Sequence, residues 1–344
     1  MLVVTARQGS IQLEQAPEPA CARNYVIVEN VCSAISPGTE MLIIGRSREV
    51  GDSLPLGYSS AGIIREVGEG VHKLRIGQRV ACYGAPFVKH AERIAVPKNL
   101  VAPLPDHVDI REAAFVAHGA ITIHALRQSD LRFGETAVIV GLGILGQLLC
   151  QIASAAGLRV IGYDLLPERC EQLRASGAGR ACATAEELAD AIHDCSEGAG
   201  ADAVFLCAGG KAGGLIDQSF EWLRDRGKIV IVGDVKTDFN RDLMFGKEAQ
   251  VLISRAGGPG RYDGSYENEG VDYPIGYVRW TEGRNMGEYI RLLAEKRIRL
   301  ASMITDVIPV RKAALAYEKY AIDPRSQLGV LLAYEPMARD GSSG

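Results

Sequence analysis

Thr136-Ala-Val-Ile-Val-Gly141-Leu-Gly143-Ile-Leu-Gly146-Gln-Leu-Leu-Cys150-Gln-Ile-Ala-Ser-Ala-Ala156 is the stretch that decides the fold. A short apolar, strand-forming run meets three glycines spaced GxGxxG, and an apolar run of helical length follows from Leu145 to Ala156. The first glycine permits a tight turn, the second lets backbone approach a pyrophosphate, and the third lets the helix pack closely on the strand. Free N–H groups at the helix start then face phosphates, with Ile144 and Leu145 supplying two of them. Thr136 to Leu158 carries no charge over 23 residues. That is long enough to span a bilayer, but its glycines with Gln147, Gln151 and Ser154 make it a buried strand, turn and helix.

Outward from this stretch, Val160-Ile-Gly-Tyr-Asp164 reads as the next strand, and Asp164 stands 21 residues beyond Gly143. A carboxylate there accepts both ribose hydroxyls of an adenosine and repels a 2′-phosphate. No Arg or Lys follows it directly, because Leu165-Leu166-Pro167 comes next, so the expected cofactor is NAD(H) rather than NADP(H). A cap ahead of the helix opened by Pro167 is the competing reading of Asp164. Further strands are expected at Arg159 to Tyr163, Asp202 to Cys207, Lys228 to Val232 and Gln250 to Ser254, alternating with helical stretches. This alternation predicts a doubly wound parallel sheet, an α/β fold. Ala208-Gly209-Gly210 and Gly233 end strands at its carboxyl edge, where ligands bind in such sheets.

The first 100 residues read instead as short strands: Leu2 to Thr5, Tyr25 to Val31, Ser60 to Val67, Arg79 to Tyr83 and Glu92 to Val96. A helix is expected near Asp109, and Glu112 to Arg127 reads as helical with an interruption at Gly119. After Ser254 comes a glycine-rich, aromatic loop running to Trp280. A helix from Asn285 to Lys296, a strand at Met303 to Val307, a helix from Val310 to Tyr320 and a strand at Leu328 to Ala333 close the pattern.

Composition narrows the function. With 344 residues, 47% hydrophobic content and net charge −4, the chain suits a soluble globular protein of two domains. It lacks the basic face that phosphate-backbone binding requires, so nucleic acid is not an expected partner. Eight cysteines fall in no CxxC spacing, which fits a reducing cytoplasm. Met1-Leu-Val-Val-Thr lacks a charged n-region, so neither a signal peptide nor a membrane partner is expected.

The order of parts resembles the medium-chain dehydrogenase/reductase superfamily, the zinc-type alcohol dehydrogenases. The resemblance runs through Gly57-Tyr-Ser-Ser-Ala-Gly-Ile-Ile-Arg-Glu-Val-Gly-Glu-Gly70, Leu74-Arg-Ile-Gly-Gln-Arg-Val80, Glu112-Ala-Ala-Phe and Phe133-Gly-Glu-Thr-Ala-Val-Ile-Val-Gly141. It implies a GroES-like β-rich catalytic domain at 1–124, completed by 271–336, a Rossmann NAD-binding domain at 125–270, and a flexible tail at 337–344. It also implies a homodimer built through the Gln250 to Ser254 edge. The sequence departs from the family where zinc ligands stand. Ser36 takes the place of a cysteine, Tyr58 and Ser59 that of a His-Glu pair, and Ala117, or His118 one position on, that of the later ligand. No bound metal is therefore expected, and the chain resembles a zinc-free branch close to sugar and polyol dehydrogenases.

Hydride transfer without zinc needs another group to handle the alcohol proton. Glu40, Tyr58, His90 and His118 are the candidate acid/base residues. Arg261, Tyr262, Arg279 and Trp280 in the aromatic loop are the candidate contacts to a polyhydroxylated small-molecule substrate. The expected function is an NAD(H)-dependent, zinc-independent oxidoreductase that interconverts a secondary alcohol and a ketone on a sugar, cyclitol or related polyol. The alternatives are a zinc-free quinone or enone reductase and a non-catalytic NAD(H)-binding protein.

Overall fold

The structure is a computed structural model describing residues 1–209, 213–323, 325 and 327–334. The expected tail at 337–344, and Gly210, lie outside the described residues. The described residues divide into two units, one of residues 1–117, 262–272 and those from Ile304 onward, the other of residues 118–261 and 273–303.

In chain order the elements are β1 (Leu2–Arg7), β2 (Ser10–Gln15), β3 (Tyr25–Ala34), α1 (Pro37–Arg46), β4 (Leu54–Pro55), β5 (Ser59–Val67), β6 (Arg79–Tyr83), β7 (Arg93–Pro97), β8 (Val101–Pro103) and α2 (Ile110–Ala113). Next come α3 (Val116–Ser129), β9 (Thr136–Val140), α4 (Ile144–Ala155), β10 (Arg159–Tyr163), α5 (Pro167–Ser176), β11 (Arg180–Cys182), α6 (Ala185–Ser196), β12 (Ala201–Leu206), α7 (Leu215–Trp222), β13 (Leu223–Ile231), α8 (Arg241–Gly246) and β14 (Gln250–Ile253). The last are α9 (Gly264–Glu267), α10 (Glu282–Ala294), β15 (Ile304–Pro309), α11 (Ala313–Ile322) and β16 (Gly329–Ala333).

The second unit holds a sheet of order β11-β10-β9-β12-β13-β14, parallel throughout. This is the doubly wound order, with its switch point between β9 and β12, where a crevice for ligand opens at the strands' carboxyl ends. All five residues of β9 are buried, because helices cover both sheet faces. Val138 and Val140 join one apolar cluster with Ile192, Phe220 and Ile231. Ala137 and Ile139 point the other way, toward Leu149, Leu173 and Phe205. Each buried Val or Ile contributes roughly 1.5–3 kcal/mol.

The first unit is antiparallel around β3, which pairs with β5, β7 and β16. Its larger sheet runs β15-β16-β3-β5-β6-β8, and β2-β1-β4 forms a smaller one.

Gly119 does not interrupt the helix expected at Glu112 to Arg127. The break falls at Ala114 and Phe115, between α2 and α3, and α3 runs through Gly119. A Cβ at Gly119 would collide with the Tyr289 ring of α10, so this glycine serves a close helix approach. The expected helix at Asn285 starts earlier, at Glu282, because the Thr281 side chain accepts from the Arg284 N–H as an N-cap. Both α10 and α3 beyond His118 fall in the second unit, whereas the sequence reading assigned 271–336 and 1–124 to the first domain.

Candidate active site

The three glycines after β9 divide their work by geometry. Gly141 has φ +90°, and a Cβ there would lie 2.5 Å from the Ala208 nitrogen. A Cβ at Gly146 would collide with the Gly141 carbonyl oxygen. Gly143 is the N-cap of α4, in extended conformation, and a Cβ on it would meet open space. That open space lies before the positive end of a 12-residue helix, the setting that accepts a pyrophosphate. Ile144 is buried and Leu145 half-buried in the helix's first turn.

Ala208 sits beside this turn. Its N–H and that of Cys207 both donate to the Val140 carbonyl, at 3.0 and 2.9 Å. The Gly233 N–H donates to Leu206, and a Cβ at Gly233 would collide with the Ala208 carbonyl oxygen. Gly141, Ala208 and Gly233 therefore pack backbone to backbone at the carboxyl ends of β9, β12 and β13. At Gly209 a Cβ would again meet open space.

Asp164 follows β10 and is 7% exposed. Its Oδ2 accepts the Leu142 N–H at 2.7 Å, tying the glycine turn to the neighbouring strand end, and its Oδ1 accepts the Leu166 N–H at 2.9 Å ahead of α5. The cap-like contact, the competing reading of Asp164, is thus present beside its bond to the glycine turn. Arg169 lies 3.3 Å from Oδ2. The sequence reading found no cation directly after Asp164, but the first turn of α5 brings one back beside it. The spacing of five residues after a strand-end carboxylate was the available signal.

In the first unit, Glu40, Tyr58 and His90 do come together. Tyr58 is half-buried and donates its hydroxyl to Ser36 Oγ at 2.6 Å, while its ring lies 6.0 Å from that of Tyr83. Burial pushes its phenol up to about 12, and the Glu40 charge adds to the shift. Glu40 and His90 are both fully enclosed. Glu40 Oε1 accepts the Ser36 N–H at 2.8 Å, and Oε2 faces His90 Nε2 at 3.1 Å and accepts the Tyr317 hydroxyl. His90 Nδ1 continues to Ser33 Oγ and thence to the Tyr334 hydroxyl, each at 2.7 Å. Of the residues expected to handle protons here, Tyr58 alone retains exposed surface. Tyr317 and Tyr334 went unread in the sequence, since they stand 277 and 301 positions from their partners. His118 belongs to the second unit and is fully buried on α3.

The aromatic-loop residues are divided between the two units. Tyr262 is exposed, with φ +68°, and its N–H donates to Glu267 in the first unit. Arg261, half-buried, falls in the second unit. Trp280 has the Arg127 guanidinium 3.4 Å and the Arg279 guanidinium 3.9 Å from its ring centroid. Two guanidinium groups this close to one centroid cannot share a face, so both faces of the indole are covered. Arg127 also donates to Asn285, and burial lowers its pKa to about 10. Trp280, expected as a substrate contact, thus has its ring stacked within the loop's own side chains.

Residues 145–268 match the zinc-binding dehydrogenase family. The chain is 26% identical to an alcohol dehydrogenase of Geobacillus stearothermophilus, over 67% of this chain and 76% of the relative. It is 25% identical to sorbitol dehydrogenase 1 of Saccharomyces cerevisiae, over 92% and 93% of the two chains. The solved galactitol-1-phosphate dehydrogenase of Escherichia coli superposes with a TM-score of 0.77 at 20% identity, covering 97% of this chain and all of that one. Over these spans the chain is similar in sequence to zinc-binding and alcohol dehydrogenases, and it shares the fold of the solved dehydrogenase.

The family's metal can be tested on the side chains that stand at its ligand positions. Ser36 Oγ accepts from Tyr58. Ser59 Oγ donates to the Ala114 carbonyl at 2.6 Å and accepts the Ala117 N–H at 3.1 Å. Ala117 offers no donor. Two hydroxyls already bonded to protein and a methyl do not fit zinc, and His118, the alternative reading of the later position, lies buried on α3 in the second unit. Among the described residues, no three His, Cys, Asp or Glu side chains gather as a metal cluster elsewhere.

Proposed function

We propose that the protein is an NAD(H)-dependent, zinc-independent oxidoreductase that interconverts a secondary alcohol and a ketone on a sugar, cyclitol or related polyol. The observation that carries the proposal is the Tyr58 to Ser36 hydrogen bond, which stands where the family's metal ligands would be. Relatives named sorbitol dehydrogenase and D-xylulose reductase support the polyol class.

Gly141, Gly143, Gly146, Ala208 and Gly233 shape the cofactor cradle, and Asp164 offers the ribose carboxylate. Nicotinamide bound there supplies the hydride acceptor or donor. Tyr58, protonated at neutral pH, turns its single O–H from Ser36 Oγ to a ketone oxygen while the Ser36 hydroxyl donates to the phenol oxygen, and it gives up that proton as the carbonyl carbon receives hydride, solvent then reprotonating the phenolate. In the reverse direction the Tyr58 oxygen, having released its own proton to solvent, takes the alcohol proton as the carbon gives up its hydride.

One observation favours the non-catalytic reading: Glu40 and His90, the other expected acid/base groups of this unit, are enclosed. A panel of sorbitol, xylitol, inositols and butanediol with NAD⁺ and NADP⁺, run beside metal analysis of the untreated protein, decides between the readings. Turnover of a polyol with NAD⁺ and no stoichiometric zinc is the expected result. Cofactor binding without turnover of any alcohol supports the binder, and turnover of enones alone supports the quinone or enone reductase.

A further inference from the structure

We infer that Tyr317 and His90 are positioning residues for Tyr58, acting through Glu40 and the turn at Ser36. The inference rests on the proposed reading that Tyr58 meets the substrate oxygen. Tyr58 depends on Ser36 Oγ as its acceptor, so the place of Ser36 sets the place of the phenol. Ser36 is tied twice to Glu40: its N–H donates to Glu40 Oε1 at 2.8 Å, and its carbonyl accepts the Glu40 N–H at 2.9 Å. Glu40 is in turn held at its other oxygen by the Tyr317 hydroxyl from α11 and by His90 Nε2.

His90 cannot drift. Its N–H donates to the Leu56 carbonyl at 2.7 Å, its own carbonyl accepts from Val4, and Nδ1 meets Ser33, whose hydroxyl is shared with Tyr334. A carboxylate without solvent needs its lone pairs filled, and removing one donor frees it to turn or to draw in water. The Ser36 turn then loses its inner anchor. A displacement of about 1 Å at the reacting group can cost about a hundredfold in rate. The ionisable groups whose fields reach Tyr58 are Glu40 and Tyr262. The second unit carries the glycine turn, so cofactor affinity offers a separate control.

The test uses the full chain with ring-carbon-13 tyrosine, the Tyr58 signal being assigned by its loss in Tyr58→Phe, together with kinetics on whichever polyol is turned over. Tyr317→Phe is expected to lower kcat about tenfold or more with KM within about twofold, leaving NAD⁺ affinity unchanged. Glu40→Gln is expected to shift the Tyr58 titration downward, because it removes a charge that raises it while keeping the side-chain shape. If Tyr317→Phe does not fold, Glu40→Gln and His90→Gln carry the same readouts. An unchanged Tyr58 titration and an unchanged kcat in folded variants overturn the inference, since a merely structural role moves only the melting temperature. If the wild-type protein turns over no alcohol, the proposed function fails and the titration alone decides: a shift upholds the positioning role, and no shift overturns it.

Discussion

Gly57 and His90 are in direct backbone-to-ring contact: with φ +91°, a Cβ on Gly57 would lie 2.7 Å from the imidazole. The residue before Tyr58 is thus glycine for two reasons, its left-handed backbone and the ring against it. Gly57→Ala is expected to destabilise the protein by about 1–3 kcal/mol, by strain and overpacking together. Chemical denaturation measures it, and a change within about 0.5 kcal/mol would remove the argument.

Gly143 and Gly146 should respond in opposite ways. Gly146→Ala forces a methyl into the Gly141 carbonyl oxygen and should cost about 1–3 kcal/mol of stability. Gly143→Ala meets open space, so stability should stay within about 0.5 kcal/mol. The methyl instead occupies the phosphate's approach, and NAD⁺ affinity should fall about tenfold or more by calorimetry.

Asp164→Ser should shift cofactor preference. It removes the carboxylate that opposes a 2′-phosphate and releases Arg169 from its ion pair. Calorimetry should then show NAD⁺ weakened and NADP⁺ strengthened relative to the wild type. Arg169→Ala in the same background should cancel the gain for NADP⁺; if the gain persists, Arg169 is not its source.

Alkaline pH should weaken the fold through Tyr58. Its phenol titrates higher in the folded state, about 12, than the ordinary value of about 10 in the unfolded chain. The folded state therefore holds the proton more tightly. The contribution is complete below about pH 10 and is lost as pH rises toward 12. Denaturation midpoints between pH 8 and 12 should fall less steeply for Tyr58→Phe, and parallel curves would contradict the assignment.

The β14 edge should pair with a second copy of the chain. It is the outer strand of its sheet, with Ile253 61% and Phe245 73% exposed beside it. Light scattering is expected to report a dimer and Ile253→Lys a monomer; a monomeric wild type would discard this assembly.

Sequence alone determined the elements whose signals are local. Thr136–Val140, Arg159–Tyr163 and Arg79–Tyr83 are strands at the residues read from the chain; Gly141 takes the left-handed turn and Gly146 the close approach of helix to strand that their spacing implied. Strand period and turn chemistry act over a few residues, so they survive without tertiary knowledge. Two elements went unread: β2, whose alternation rests on Ile11 and Leu13 alone, and the Pro37-led helix α1, whose apolar residues run consecutively from Met41 to Ile44. Tertiary structure decided the roles within the site. Whether Glu40 and His90 meet solvent depends on Tyr317 and Tyr334, brought from the far end of the chain by α11 and β16. Whether Trp280 offers a face depends on Arg127, and whether Gly119 breaks a helix depends on Tyr289. Burial and partnership are properties of side chains distant in sequence and adjacent only after folding, and local pattern carries no record of them.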